Sequence, residues 1–414
     1  MKSRERVKAV LNHRQPDRVP IDLGGTRGTG IAALAYIRTR QFLDLAADKV
    51  RMYDFIQHLS YPDQDFIERF HIDVIDAGQA FPDVFSPGKS YQLDNGSSVT
   101  IPAFLNLAAA SDGTVHLKDQ QGLILGSKPP SSKYVDQCYW IYGDKPSIPE
   151  IIHVKDLTQH LWAVPAPPWH LDLSVESDHR SFVEGIRRLY ESSNLALALT
   201  VGCSLFEGGQ YLRGFENFLC DVYADRKGTI RLLERLVELY MKRLELVLRG
   251  AGKYLETVRF TDDLGSQDRA LIGCEKYREI FKPFHKRLWN YVHDHSDCKV
   301  TLHSCGAVSD FIPDLLDAGL DILNPVQTTA KGMDPTWLKR EYGKDLVFWG
   351  GGCDTQRVLS FGTPREVQDD VRKRVRTLGR DGGLVFAQIH NIQADVPPEN
   401  IVAMLTAASE SGSK

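Results

Sequence analysis

The sequence has no apolar stretch long enough to cross a bilayer. Its longest candidate, Ile101 to Ala110, is already interrupted by Pro102 and Asn106 and falls short of the ~20 residues a spanning helix needs, so no membrane association is expected. A basic surplus is also missing. Fifty Lys+Arg stand against 54 Asp+Glu, a net charge of −4, and this argues against a general nucleic-acid binder. No apolar core follows the opening Met1-Lys-Ser-Arg-Glu-Arg6, and the cytoplasm is the expected location. The seven cysteines, at 138, 203, 220, 274, 298, 305 and 353, are odd in number and follow no framework spacing. In a reducing compartment they read as packing residues, metal ligands or nucleophiles rather than disulfides. Repeats and low-complexity tracts are absent. Gly24, Gly25, Gly28 and Gly30 fit neither G-x-x-x-x-G-K-[ST] nor G-x-G-x-x-G, which leaves no phosphate-loop motif.

What remains is a globular composition, 42% hydrophobic and 25% charged over 414 residues, and this excludes disorder as the main state. Length alone suggests about three domains, but one (β/α)8 barrel takes ~250 residues. Eight short β-type runs can be counted: Val19–Leu23, Ile72–Asp76, Leu195–Val201, Thr257–Thr261, Lys299–His303, Leu320–Asn324, Leu346–Trp349 and Leu384–Ile389. Most are continuously apolar, as strands buried on both faces are. From the third onward they alternate with helical patterns at Arg226–Arg249, Glu275–His295, Ala307–Ala318, Pro335–Tyr342, Pro364–Leu378 and Pro398–Ser409. Pro283 inside the second pattern predicts a kink or a first turn. Alternation implies parallel pairing, and eight strands predict an α/β chain folded as a single (β/α)8 TIM barrel over 1–414, with an open doubly wound sheet as the alternative. Helical segments are expected near Ala32–Leu45 and Arg51–His58. From about 81 to 170 the chain turns rich in Pro, Gly, Ser and Asp. Its short alternating runs, Ser98–Ile101, Thr114–Lys118, Leu123–Ser127 and Tyr139–Tyr142, predict an inserted β-rich excursion. The tail from Ser411 is expected to fray.

In a parallel barrel function collects at the C-terminal strand ends. Polar residues recur there: Asp22 after the first strand, Glu207 after the third, Asp263 and Gln267 after the fourth, His303 and Cys305 after the fifth, Asn324 and Gln327 after the sixth, Cys353 after the seventh, and His390 and Gln393 after the eighth. His303 and Cys305 are two apart, so in extended chain they point the same way. One imidazole and one thiolate suit Zn²⁺, and Cys353 and His390 are both placed to supply a third ligand. A buried cysteine beside a hydrogen-bonded histidine would look the same in sequence. Glu207 and Asp263 are candidates for an acid or an oxygen ligand. Asp262 and Asp263 point to opposite faces, so one enters the site while the other caps a helix or orders a loop. Asp22 is a third catalytic candidate, which either reads a polar substrate group or fixes its turn. Gln267, Asn324, Gln327 and Gln393 are candidate substrate-binding residues. The histidines 285, 293 and 295 read as one solvated helix face, and Cys274 and Cys298 as packing residues.

These motifs together resemble the uroporphyrinogen decarboxylase superfamily, and most of all its corrinoid-dependent methyltransferase-like branch. The resemblance is carried by Arg4-Glu-Arg-Val-Lys-Ala-Val-Leu-Asn-His-Arg-Gln-Pro-Asp-Arg-Val-Pro-Ile-Asp22, Leu205-Phe-Glu207, Leu212-Arg-Gly-Phe-Glu-Asn-Phe-Leu219, Asp262-Asp-Leu-Gly-Ser-Gln267 and His303-Ser-Cys-Gly306. It continues through Asp354-Thr-Gln356, Gly362-Thr-Pro-Arg-Glu-Val367 and His390-Asn-Ile-Gln-Ala-Asp-Val-Pro-Pro-Glu-Asn400 and covers nearly the whole chain outside 81–170. It implies a TIM barrel. The family's decarboxylases hold their substrate through an Arg-rich N-terminal loop and need no metal. The loop here, Gly24-Gly-Thr-Arg-Gly-Thr-Gly30, has one arginine and lacks the R-x-x-G-R-Y pattern. The methyltransferases hold zinc through H-x-C and a further Cys after the last strand, where this chain has His390. The resemblance therefore implies a zinc-dependent methyltransferase moving a methyl group between a small methylated substrate, such as a methyl ether, and a corrinoid (cobalamin) on a partner protein. Zinc or an acid such as Glu207 or Asp263 would improve the leaving group. In the opposite direction zinc would activate a thiol acceptor. A metal-free decarboxylase and a non-catalytic binding barrel are the alternatives. A homodimer is compatible with the sequence.

Overall fold

The computed structural model describes residues 1–411, and the tail beyond Ser411 lies outside them. Eight strands pair in parallel and in chain order: β1 (Ile21–Asp22), β2 (Ile72–Asp76), β3 (Ala196–Gly202), β4 (Thr257–Thr261), β5 (Lys299–His303), β6 (Ile322–Asn324), β7 (Val347–Trp349) and β8 (Leu384–Val385). Each falls in one of the apolar runs, β3 reaching one residue further, to Gly202. A parallel bridge between Ile21 and Phe386 joins the first strand to the last. There Asp22 N–H donates to the Phe386 carbonyl and Phe386 N–H to the Pro20 carbonyl, both at 2.8 Å. The chain is the expected (β/α)8 TIM barrel.

The strands are apolar on both faces because both faces are covered. Val258, Phe260, Val300, Leu302, Leu323 and Phe348 point outward into the layer beneath the helices. The inward residues change chemistry along the barrel axis. At the N-terminal end Val74, Ala196, Ala198, Ile322, Val347 and Val385 form an apolar plug, which α1 (Ser3–Leu11) closes with Val7, Val10 and Leu11. Toward the other end the inward positions become Arg259, Thr301, His303 and Asn324, all buried. This polar upper layer is where a site can form.

Two further helices matter for the site: α2 (Phe206–Arg213) directly after β3, and α3 (Arg226–Ala251). The expected helix at Glu275–His295 is divided. A π-helical turn, Tyr277–Phe281, precedes α4 (Lys282–His295), because Pro283 has no N–H to continue the ladder. His285 corrects the reading of a solvated face. It is buried, with Nε2 2.9 Å from Asp262 Oδ2 and Nδ1 3.0 Å from the Tyr277 hydroxyl. The helix expected at Arg51–His58 is instead a strand, Met52–Asp54, antiparallel to Leu59–Ser60, which in turn pairs with Ile31–Ala32. The Asp54 carboxylate accepts from Gln57 N–H at 2.7 Å and turns the chain, and Tyr53 stacks on Tyr61 at 4.0 Å between centroids.

Between β2 and β3 the segment 81–170 holds a hairpin, Lys89–Gln92 with Ser98–Ile101. It also holds a four-stranded antiparallel sheet of Asn106–Ala109, Val115–Lys118, Ile124–Lys128 and Asp136–Gln137. The strand expected at Tyr139–Tyr142 is a turn, and the fourth strand falls just before it. Two 3₁₀ turns, Val154–Thr158 and Leu161–Ala163, then bring the chain to the barrel mouth.

Candidate active site

A cavity of about 260 Å³ opens at the C-terminal ends of β3, β4 and β5, with residues 157–163 of the inserted segment forming its opposite wall. Glu207, Asp263, His303 and His390 all line it.

His303 ends β5. The ladder sets it beside Thr261 on β4 and Asn324 on β6. Its Nδ1 lies 2.6 Å from Asn324 Oδ1, and Asn324 Nδ2 donates to the Trp349 carbonyl at 2.8 Å. That second bond orients the amide with its oxygen toward His303. Nδ1 therefore carries the proton, and Nε2 is left as a lone pair. Nε2 faces Cys305 Sγ at 3.5 Å. His390, in the left-handed region at φ 61°, turns its ring to within 5.4 Å of the His303 ring, centroid to centroid. One ligand atom from each of His303, Cys305 and His390 lies within 4.8 Å of the others. Burial, then the Arg259 charge, holds His303 well below the ordinary histidine range, and burial takes His390 down to about 4. Both imidazoles are thus neutral and able to ligate at physiological pH. Burial and the nearby Asp263 and Glu207 carboxyls push the Cys305 thiol well above its usual range.

The paired aspartates divide their work. Asp262 is fully buried and accepts from the N–H groups of Leu205 at 3.1 Å and Glu207 at 2.8 Å, so it caps the start of α2. Asp263 faces the cavity and accepts from Cys305 N–H at 2.7 Å. Burial raises it to about 6. Glu207, in the first turn of α2, is pushed well above the usual carboxylate range by burial, then by Asp263 and Asp262. Its Oε1 accepts from the Tyr211 hydroxyl at 2.7 Å. The Tyr211 ring stacks on His160, 5.2 Å between centroids, and on Trp162 at 5.9 Å.

The remaining candidates stand elsewhere. Cys353 is fully buried and is not brought to the other three; burial and the adjacent Asp370 push its thiol well up. Asp22 does not line the cavity. Its carboxylate accepts from Gly25 N–H and Trp349 Nε1–H, both at 2.7 Å, and so fixes the turn after β1. Asn324 is buried and positions His303. Gln327 Oε1 accepts from Gly306 N–H at 2.8 Å, and its amide donates to Gln267 Oε1 at 2.8 Å, so this pair supports the loop that carries Cys305. Gln393 is exposed and bonded to Asn391. The sequence reading missed Arg259, Thr200, Tyr211, Arg243 and the pair His160 and Trp162, all of which line the cavity. Arg259 had a signal: it is a charged residue at the centre of a barrel strand, in phase with Thr257 and Thr261.

Comparison with known proteins adds the following. The family model described as uroporphyrinogen decarboxylase matches residues 194–411, more than half of the chain. No curated protein sequence matches the chain. Among solved structures, a methyltransferase from Methanosarcina mazei superposes with a TM-score of 0.58 at 13% identity, covering 99% of each chain, and shares the fold. A GH10 endoxylanase retrieved from a sugarcane soil metagenome reaches a TM-score of 0.34 at 8% identity, over 56% of this chain and 81% of its own. No helix among the described residues is long and apolar enough to cross a membrane. Barrel, strand-end site and family match agree, and the chain belongs to the uroporphyrinogen decarboxylase family.

Proposed function

We propose that the protein is a zinc-dependent methyltransferase that moves a methyl group from a small methylated compound, such as a methyl ether, to a corrinoid held by a partner protein. The observation that carries this reading is a two-nitrogen, one-sulfur ligand set, His303, Cys305 and His390, at a cavity that Glu207 also lines, its carboxyl raised by burial. The donor set fits zinc. Zn–N and Zn–S bonds of ~2.0–2.3 Å place tetrahedral ligands about 3.5 Å apart, and Nε2 and Sγ are 3.5 Å apart here. When bound, zinc supplies Lewis-acid polarisation of the heteroatom that carries the methyl group.

The chain's own residues do the rest. Burial and the neighbouring Asp263 and Asp262 raise the Glu207 carboxyl well above its usual range, which favours the protonated form that would donate to the leaving oxygen as the C–O bond breaks. The bonding pair would stay on that oxygen, and a reduced corrinoid on the partner would supply the electron pair that takes the methyl group. Tyr211 orients the Glu207 carboxyl, while His160 and Trp162 exclude water from it. The decarboxylase alternative has less support for a tetrapyrrole. Arg27, the one arginine of the N-terminal loop, is already paired with Asp54.

The test is metal content by mass spectrometry on the purified full chain, followed by methyl transfer to a reduced corrinoid protein read from its visible spectrum. Expected are about one zinc per chain in the wild type and in Cys353→Ala, its loss in Cys305→Ser, and methylation of the corrinoid by at least one donor in a broad panel. Absence of zinc after reconstitution, or metal-independent release of CO₂ from a carboxylic acid, overturns the reading.

A further inference from the structure

The floor of the cavity holds donors that have nothing to donate to. Arg259, at the centre of β4, is 1% exposed and lines the cavity. It makes a single hydrogen bond, from Nη2 to Asn324 Oδ1 at 3.2 Å. Its Nε and Nη1 are buried without a partner among the described residues, and so is Thr200 Oγ1. Thr200 is the register partner of Arg259 on β3, so the two belong to one inward layer. Asp22 and Asp263 act on Arg259 only through space, and neither bonds to it. On the adjoining wall, Arg243 gives one bond, Nη1 to the Val201 carbonyl at 2.9 Å, and lies over the Trp169 ring at 5.1 Å. It has no carboxylate partner among the described residues.

Buried donors in folded proteins are almost always paired. A guanidinium cannot accept a hydrogen bond and does not lose its charge at neutral pH, and burial lowers Arg259 only to about 10. The missing partner must therefore accept hydrogen bonds, and the fixed positive charge favours one that is negative. A carboxylate meets both conditions and matches the guanidinium fork. Gly28 supplies a second sign that space is reserved. A Cβ there would lie 2.4 Å from Arg259 Nη2 and 2.9 Å from the His303 ring, so any larger residue would crowd the guanidinium and the imidazole together.

We propose that the cavity binds its substrate through a carboxylate received by Arg259 and Thr200 on the floor, with Arg243 on the wall, so that the methylated substrate is a small carboxylic acid. The word "methylated" rests on the function proposed above; the carboxylate site does not. A volume of about 260 Å³ accommodates one ring or a short chain bearing an acid and a methyl ether, and anchoring the acid on β3 and β4 leaves the ether to reach the strand ends where His303 and Glu207 stand.

Titration calorimetry on the full chain, with no corrinoid present, tests this with matched probes: 3-methoxybenzoate against 3-methoxybenzamide, and methoxyacetate against methoxyacetamide. At least one acid is expected to bind tenfold or more tightly than its amide. That preference should fall below threefold in Arg259→Gln and also in Thr200→Val, which keeps the side-chain shape should the buried arginine variant fail to fold. The proposal is overturned if no acid out-binds its amide in the wild type, as it would be were the floor filled by water, or if Thr200→Val keeps the full preference. A preference for acids with no methyl transfer in the separate corrinoid assay supports the site and overturns the reaction.

Discussion

The barrel and the inserted segment build two walls of one cavity by different means. On the barrel side, backbone register sets the positions: His303 is level with Thr261 and Asn324 because two ladders align them. On the other side Trp162 stands on a short 3₁₀ turn with His160 just before it, and their place is set by stacking on Tyr211. A ligand set tolerates errors of only a few tenths of an ångström, and strands supply that rigidity. A wall that excludes water tolerates more, and loops on a rigid scaffold suffice for it. The difference teaches where the chemistry and where the access are controlled.

Three substitutions sharpen this division, in falling order of effect. Glu207→Gln removes the proton donor and nothing from the ligand set. Methyl transfer should fall by about 10²–10⁴ with zinc content unchanged, and least for donors whose leaving group is already acidic; a uniform loss across leaving groups would break the assignment of Glu207 as acid. Trp162→Ala opens the inserted wall. An effect on the order of tenfold on kcat/KM is expected, again with zinc retained. If this variant loses zinc, the two walls are not independent.

The smallest effect concerns stability. Asp76, at the end of β2 in a side chamber next to the cavity, is raised by burial to about 7, above the ~3.9 of an unfolded aspartate. Its protonated form is the one the fold favours. Its contribution to stability is therefore complete below about pH 4 and is lost as pH rises through about 7. The melting temperature of the wild type should decline between pH 5 and 8 relative to Asp76→Asn, whose amide does not titrate. Identical slopes for the two proteins would show that Asp76 ionises at an ordinary pH.

Much of the barrel was legible because its strands repeat one simple condition, burial on both faces, which leaves a continuous apolar run in the sequence. The inserted segment was legible only as a change of composition. Lys89–Gln92 and Asn106–Ala109 became strands by pairing with neighbours rather than by their own pattern, and Met52–Asp54 took a strand conformation where helix was expected. His285 shows the same limit at a single residue. Its neighbours in sequence are charged, but the face it occupies turns inward onto Asp262.

At the site the division falls along sequence distance. Residues 303 and 305 share a direction because extended chain alternates, and Asp262 and Asp263 part for the same reason; local geometry decided these from the sequence alone. Whether His390 or Cys353 would join them depended on which loop leans over β5 once the barrel closes, and that is set by packing among elements far apart in the chain. Closure also left Arg259 inside with two donors unanswered, since only the assembled barrel determines which polar groups find partners.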